Sequence, residues 1–307
     1  MDLELWTQLS MAISDVERRW PSRGRDTHPT SRIVRVHLWS VLHDRPTCWG
    51  CVRQNWTTRT RPPSLPDQST MSRRMKRADF DEFLIRVGRR LNGDSNASRA
   101  RDASKLHVRI VDGKPLELPN HSTDRDARWG RGVSRTSLGY KIHFLCCTEE
   151  KPMPDAFAIT PLNRCEKQMA ARMIRRVRGG GYLLADAHLD ASWLFDHCRV
   201  HAHQLLCPRA KPHTALGHHY QSPDRVRAIE MLESPANVNP SFGSFGRSLY
   251  RCRTIVERRF SAAVCFGAGI GNSLPPWVRR IGRVRRWTTA KLLINAARIR
   301  NNRRIAA

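Results

Sequence analysis

Two spacings of apolar residues divide the chain. In "SRIVRVHLWSVLHD" (31–44), Ile33, Val34, Val36, Leu38, Val41 and Leu42 suit a buried helix better than a strand. The first hundred or so residues read as helical, arginine-rich and interrupted by loops. One is the Pro-rich "TRPPSLPDQ", followed by "STMSRRMKRADFDEFLIRVGRRL", a helix with Ser69 or Thr70 placed as N-cap. "NGDSNASRARDAS" (92–104) is small and polar, and reads as a linker. Beyond it the pattern turns β-branched. "KLHVRIVDGKPLELP" predicts a strand through Val108, Ile110 and Val111 that ends in a turn at Asp112-Gly113. "LGYKIHFLCCTEE" and "DAFAITP" predict two more strands, and "NRCEKQMAARMIRRVRGG" an amphipathic helix stopped by glycines. "GYLLADAHLDA" predicts a buried strand ending at Asp186, "SWLFDHCRVHA" a helix and "HQLLCPR" a short strand. Residues 210–246 lack periodicity and read as loop, and helices follow, including 276–302. Strands alternating with helices predict a mixed α/β domain whose sheet is flanked by helices. The expected division is a helical domain over 1–91, a linker over 92–104 and an α/β domain over 105–307 that includes the C-terminal helices.

Composition narrows the partner. Lys and Arg outnumber Asp and Glu by 54 to 27 in 307 residues, a net charge of +27. Such an excess points to a polyanion, because each phosphate contact by Arg or Lys releases condensed counterions. No apolar run approaches the ~20 residues that span a bilayer, and "MDLELWTQLS" has no basic n-region before an apolar core. A cytoplasmic protein that does not engage membranes is expected. The nine cysteines are scattered and suggest no disulfide framework. Cys48-x-x-Cys51 lacks a second pair, and the His197–Cys207 cluster spans a helix-to-strand transition, so both read more simply as thiols and histidines without metal.

Acids are scarce enough to be informative. Asp112 and Asp186 fall at or near the ends of apolar strands, so pairing of those strands would bring them together. Close carboxylates repel unless a cation lies between them, and beside a polyanion the natural cation is Mg²⁺, with oxygen ligands and retained waters. Glu257 stands among four arginines in "SLYRCRTIVERRF" (248–260). On one helix, Tyr250, Arg253 and Glu257 would lie within about 60° of each other. Leu249, Val256, Phe260 and Ala263 would form an apolar stripe against a sheet, with Arg247, Arg251 and Arg258 flanking. Arg253 and Glu257 also fit an ordinary i,i+4 salt bridge.

"Tyr250-x-x-Arg253-x-x-x-Glu257" resembles the Y-x-x-R-x-x-x-E signature of the DDE transposases of bacterial insertion sequences. "IVDGKPLELPNHS" and "LLADAHLDA" resemble the blocks around the first and second aspartates of that family, "GYKIHFL" the strand shortly after the first, and the tail from "LPPWVRRIG" onward its C-terminal helices. "PDQSTMSRRMKR" is similar to a DNA-binding segment of some relatives. The chain departs from the pattern at Val264, where the family usually has lysine, and Asp190 is a rival to Asp186.

The resemblance implies an RNase H-like catalytic domain preceded by a helix-turn-helix-like helical domain. It implies catalytic, metal-binding Asp112, Asp186 and Glu257, holding two Mg²⁺ ions for which Mn²⁺ can substitute. DNA would be bound by Tyr250, Arg253, Arg73, Arg74 and Lys76. The implied substrates are transposon ends and target DNA, cut and joined by a homodimer in the bacterial cytoplasm at the nucleoid. Two alternatives stay open: a catalytically inactive or repurposed relative that only binds DNA, and another RNase H-like nuclease.

Overall fold

The computed structural model describes residues 3–21, 26–93, 106–149, 151–212, 216, 218–233, 244–264 and 273–306. The chain forms two compact units, residues 96–261 and residues 1–95 together with 262–307.

The unit over 96–261 is built on strand β1 (Leu106–Leu118). The turn expected at Asp112-Gly113 does not form. The strand runs on because its second half is paired with β3 (Thr136–Cys147) in an antiparallel ladder from Arg109↔Cys147 to Leu118↔Leu138. Local turn propensity loses to ten consecutive cross-strand pairs. On its other edge β1 runs parallel to β5 (Gly180–Leu184), from Leu106↔Gly180 to Ile110↔Leu184, and β5 runs parallel to β6 (His203–Leu206). The outer edge of β3 is shared by β2 (Arg128–Arg131), which was not foreseen, and β4 (Ala156–Pro161), both antiparallel to it. The order β2-β3-β1-β5-β6, with β4 on β3, is a mixed, curled sheet of RNase H-like type. Residues 137–147 of β3 are buried, as befits the middle of a covered sheet.

Helix α6 (Glu166–Ile174) packs on β3 and β4, and α7 (Ser192–Val200) and α8 (Pro223–Glu233) on β6. The last occupies a stretch expected to be loop. Among its eleven residues only Ala228 and Met231 are buried, too few to leave a helical period in the sequence.

Gly181 sits where β5 passes between β1 and β6, with φ +126°, and a Cβ there would lie 2.1 Å from the His107 carbonyl oxygen. Gly181→Ala is therefore expected to cost at least about 2–3 kcal/mol. A thermal melt should read this as a midpoint roughly 5–10 °C below wild type.

In the other unit, α1 (Leu3–Glu17), α2 (Thr30–Leu42), α5 (Ala78–Asn92) and α11 (Ile281–Ala306) pack on one another, joined by the short α3 (Thr47–Gly50) and α4 (Gln68–Arg74). Its core holds Trp6, Trp39 and Trp56, with Trp39 stacked on Trp56 at a centroid distance of 4.7 Å. The expected helix over 69–91 is two helices separated by residues 75–77, and its N-cap is Asp67, whose carboxylate accepts from Thr70 N–H.

The C-terminal helix, expected within the α/β domain, groups instead with residues 1–95. Its buried Val284, Trp287, Leu293 and Ala297 belong to this helical core, and its buried Lys291 pairs with Asp44 at 3.0 Å while Arg285 pairs with Asp81. The linker expected over 92–104 lies outside the described residues beyond Gly93. Among the described residues no helix is long and apolar enough to cross a membrane.

Candidate active site

Strand pairing brings the two aspartates to the same place. Parallel pairing of β1 with β5 ends at Ile110↔Leu184, and Asp112 and Asp186 each lie two residues further on. The two come near enough that the negative charge of Asp186 acts on Asp112. Asp112 keeps a rigid backbone because β1 continues, opposite Phe144 of β3. Asp186 leaves its strand and caps the short 3₁₀ turn Ala187–Leu189, accepting from His188 N–H at 3.1 Å.

The expected single helix over 248–260 is two, α9 (Phe245–Arg251) and α10 (Thr254–Val264), with tighter i→i+3 hydrogen bonds across Cys252 and Arg253. Two contacts seat this pair on the sheet. Phe260 stacks on Phe144, the cross-strand neighbour of Asp112, with ring centroids 4.5 Å apart. The Tyr250 hydroxyl, expected on DNA, donates instead to the carbonyl of Ala185 at 3.1 Å, one residue before Asp186. Of the expected apolar stripe, Val256 and Phe260 are buried and Leu249 is half-buried, while the side chain of Ala263 lies outside the described residues; Glu257 is exposed. The side chain of Val264, the position that departs from the family pattern, lies outside the described residues.

Arg253 joins the parts. Its guanidinium lies 3.9 Å from an oxygen of Asp112 and 3.9 Å from one of Glu257. Both separations exceed hydrogen-bond length, and its buried Nε has no hydrogen-bond partner among the described residues. A cation held this loosely between two acids has unused donors for an anion. Asp112 is itself perturbed. Burial pushes its pKa up to about 6, against the opposing pull of the Gly113 N–H and Arg253, and the negative charges of Asp186 and Glu166 add to the rise. Such a carboxylate lacks positive charge, and an all-oxygen donor set is what a hard divalent cation takes. The residues present fit such an ion, although the oxygens of Asp112, Asp186 and Glu257 are not drawn into one tight ligand group.

Asp190, the rival of Asp186, is otherwise engaged. It accepts two hydrogen bonds from Arg225, at 2.6 and 2.8 Å, and a third from Ala210 N–H, with its side chain nearly buried. Two further neighbours escaped the sequence reading. Glu166, in the first turn of α6, acts on the charge of Asp112 and pairs with Lys141 of β3. Both lie beside Gly113, where a Cβ would meet the Lys141 side chain at 3.2 Å and Glu166 Oε1 at 3.6 Å. Their only sequence signal is a charged residue on an otherwise buried strand. In the helical unit, Arg73 and Lys76 are exposed, whereas Arg74, expected on DNA, is buried. It donates to the His28 carbonyl at 2.6 Å and pairs with Asp26 at 3.2 Å, contacts that hold the fold together.

Residues 103–264 match the family model of the transposase DDE domain. No curated protein and no solved structure gives a significant match to the chain.

Proposed function

Because the chain belongs to the DDE transposase family, whose members typically use divalent metals and act on DNA, we propose that it binds the terminal inverted repeats of an insertion sequence and cuts and joins DNA there. The observation carrying this reading is the single loosely held guanidinium of Arg253, in reach of both Asp112 and Glu257, beside the strand end that delivers Asp186.

In this mechanism Asp112, Asp186 and Glu257 would hold the metal. Divalent ions bound there, Mg²⁺ or Mn²⁺, would supply activation of the attacking water or 3′-hydroxyl and charge neutralisation at the leaving oxygen. Arg253 turns its unused donors to a phosphate oxygen and gives up its two long carboxylate contacts. Tyr250 acts through position, tying α9 to Ala185 so that Arg253 stays above the strand ends. Asp112 must be ionised to serve as a ligand, and with its pKa at about 6 this holds at neutral pH and fails in acid. A homodimer would bring two element ends together.

The test is a cleavage and strand-transfer assay with the purified full chain, Mg²⁺, and duplexes carrying the inverted repeats that flank its gene. Cuts at the repeat ends and products joined to a target duplex are expected. Equal cutting of unrelated duplex or of RNA–DNA hybrid would overturn the reading in favour of another nuclease. Metal-independent binding without cutting would leave a DNA-binding relative.

The exposed Arg73 and Lys76 are proposed to contact phosphates. Replacing either with Ala should weaken binding about equally for all sequences and lower the log–log salt slope by about 1. Fluorescence anisotropy over a salt series measures this.

A further inference from the structure

At the start of β1, away from Asp112, three side chains of unlike chemistry meet. Cys147, the last residue of β3, stands opposite Arg109. The ladder continues past it, since Thr148 N–H donates to the Val108 carbonyl at 2.8 Å. Extending the register two residues sets Glu149 opposite His107, with Cys147 diagonal to His107, two residues before Glu149 on its own strand, and all three on the same face. His107 Nδ1 lies 3.8 Å from Cys147 Sγ and 3.9 Å from Glu149 Oε1, and one ligand atom from each of the three falls within 4.8 Å of the others. His107 and Cys147 are each 2% exposed, while the Glu149 side chain is about half exposed at the rim.

We propose that His107, Cys147 and Glu149 form a second metal site, separate from the carboxylate site, that takes Zn²⁺ with solvent as the fourth ligand.

The donor set selects the ion. One thiolate, one imidazole and one carboxylate suit Zn²⁺, whereas Mg²⁺ and Ca²⁺ take oxygen alone. A tetrahedral zinc with these ligands sets neighbouring donor atoms roughly 3.3–3.6 Å apart, so closing the site asks for movements of a few tenths of an ångström to about 1 Å. Thiolate and carboxylate together cancel the ion's charge, so burying the site leaves no net charge behind. Both buried ligands belong to regular strands, and the third is exposed and can swing in. Bound there, the ion clasps the start of β1 to the end of β3, clamping the strand that carries Asp112. The site follows from strand register and does not depend on the reading of the transposase chemistry.

The test uses the full chain freed of metal by chelator dialysis. Co²⁺, a spectroscopic stand-in for Zn²⁺, should give a thiolate-to-cobalt charge-transfer band, and Zn²⁺ titrated against a chromophoric chelator should show one tight equivalent with Mg²⁺ present throughout. Cys147→Ser should abolish the band and weaken the tight equivalent by at least about 100-fold. Glu149→Gln, whose rim position spares the fold, should weaken it about 10–100-fold while keeping the band. The double variant Cys48→Ser/Cys51→Ser should leave the tight equivalent in place. The proposal is overturned if wild type shows no tight equivalent, if Glu149→Gln binds Zn²⁺ as wild type does, or if the equivalent disappears with Cys48 and Cys51. Should Cys147→Ser fail to fold, the Glu149→Gln and Cys48/Cys51 results decide alone.

Discussion

Asp112→Asn is expected to lower cleavage at the element ends by on the order of 10³-fold or more while making the protein more stable at neutral pH. The two effects have one cause. Asp112 is held by a strand ladder in a mostly buried position, near the negative charges of Asp186 and Glu166, and its pKa rises from 3.8 to about 6. A carboxyl whose folded pKa exceeds its unfolded value binds protons more tightly in the native state, so ionising it opposes folding. The penalty is full above about pH 6, shrinks as pH falls and vanishes below about 3.8, where both states are protonated. At pH 7.5 the uncharged amide should therefore gain about 1–3 kcal/mol, and its carbonyl can still accept the Gly113 N–H that Asp112 accepts at 2.8 Å. Melting curves of both proteins at pH 7.5 and 4.5 should show the variant ahead at the higher pH and the two converging at the lower. Glu257→Gln should lose cleavage to a similar degree, with little change in melting, because Glu257 is exposed. Wild-type cutting by either variant would refute the assignment of these acids to the reaction.

Asp190→Asn should behave in the opposite way, failing as a fold before it fails as an enzyme. Burial pushes the Asp190 carboxyl up, yet hydrogen bonds from Arg225 and Ala210 N–H more than offset this and hold it below its usual value. Removing the charge leaves the mostly buried Arg225 guanidinium without its ionised partner, a change worth about 3 kcal/mol. The melting midpoint at pH 7.5 should drop by roughly 6–12 °C. For a depressed acid the stabilisation is present above the unfolded pKa and lost as pH falls through the folded one. The gap between wild type and Asp190→Asn should therefore close only in strong acid. Asp186→Asn, with its partly exposed side chain and the His188 N–H still able to bond to the amide oxygen, should melt within a few degrees of wild type and yet not cut. If instead Asp190→Asn were stable and inactive, Asp190 would take the role given to Asp186.

Much of the catalytic unit was legible in the chain because its signals are local. Runs of β-branched and aromatic residues marked β1, β3, β4 and β5, and the acids at their ends marked where a site could form. The spacing of Val256, Phe260 and Glu257 named the sheet-facing side of a helix without knowing the sheet. The capping and break near residues 67–78 were less clear. Ser69 and Thr70 were the expected N-caps, and only the hydrogen bond from Thr70 N–H identified Asp67 instead.

The sequence by itself determined most of the elements, the basic composition and the candidate acids, since these follow from side-chain chemistry and from periods of 2 and 3.6 residues within one segment. Only the tertiary structure decided what depends on residues far apart in the chain. It carried β1 through Asp112-Gly113, where cross-strand bonding to β3 outweighed a local turn, and placed Asp112 and Asp186 each two residues past the last β1–β5 pair. It tied Asp190 to Arg225 and Arg74 to Asp26, pairings between residues far apart in the chain. It also put the C-terminal helix with the N-terminal helices, because an apolar helical stripe states that it must be covered and leaves the covering surface unspecified.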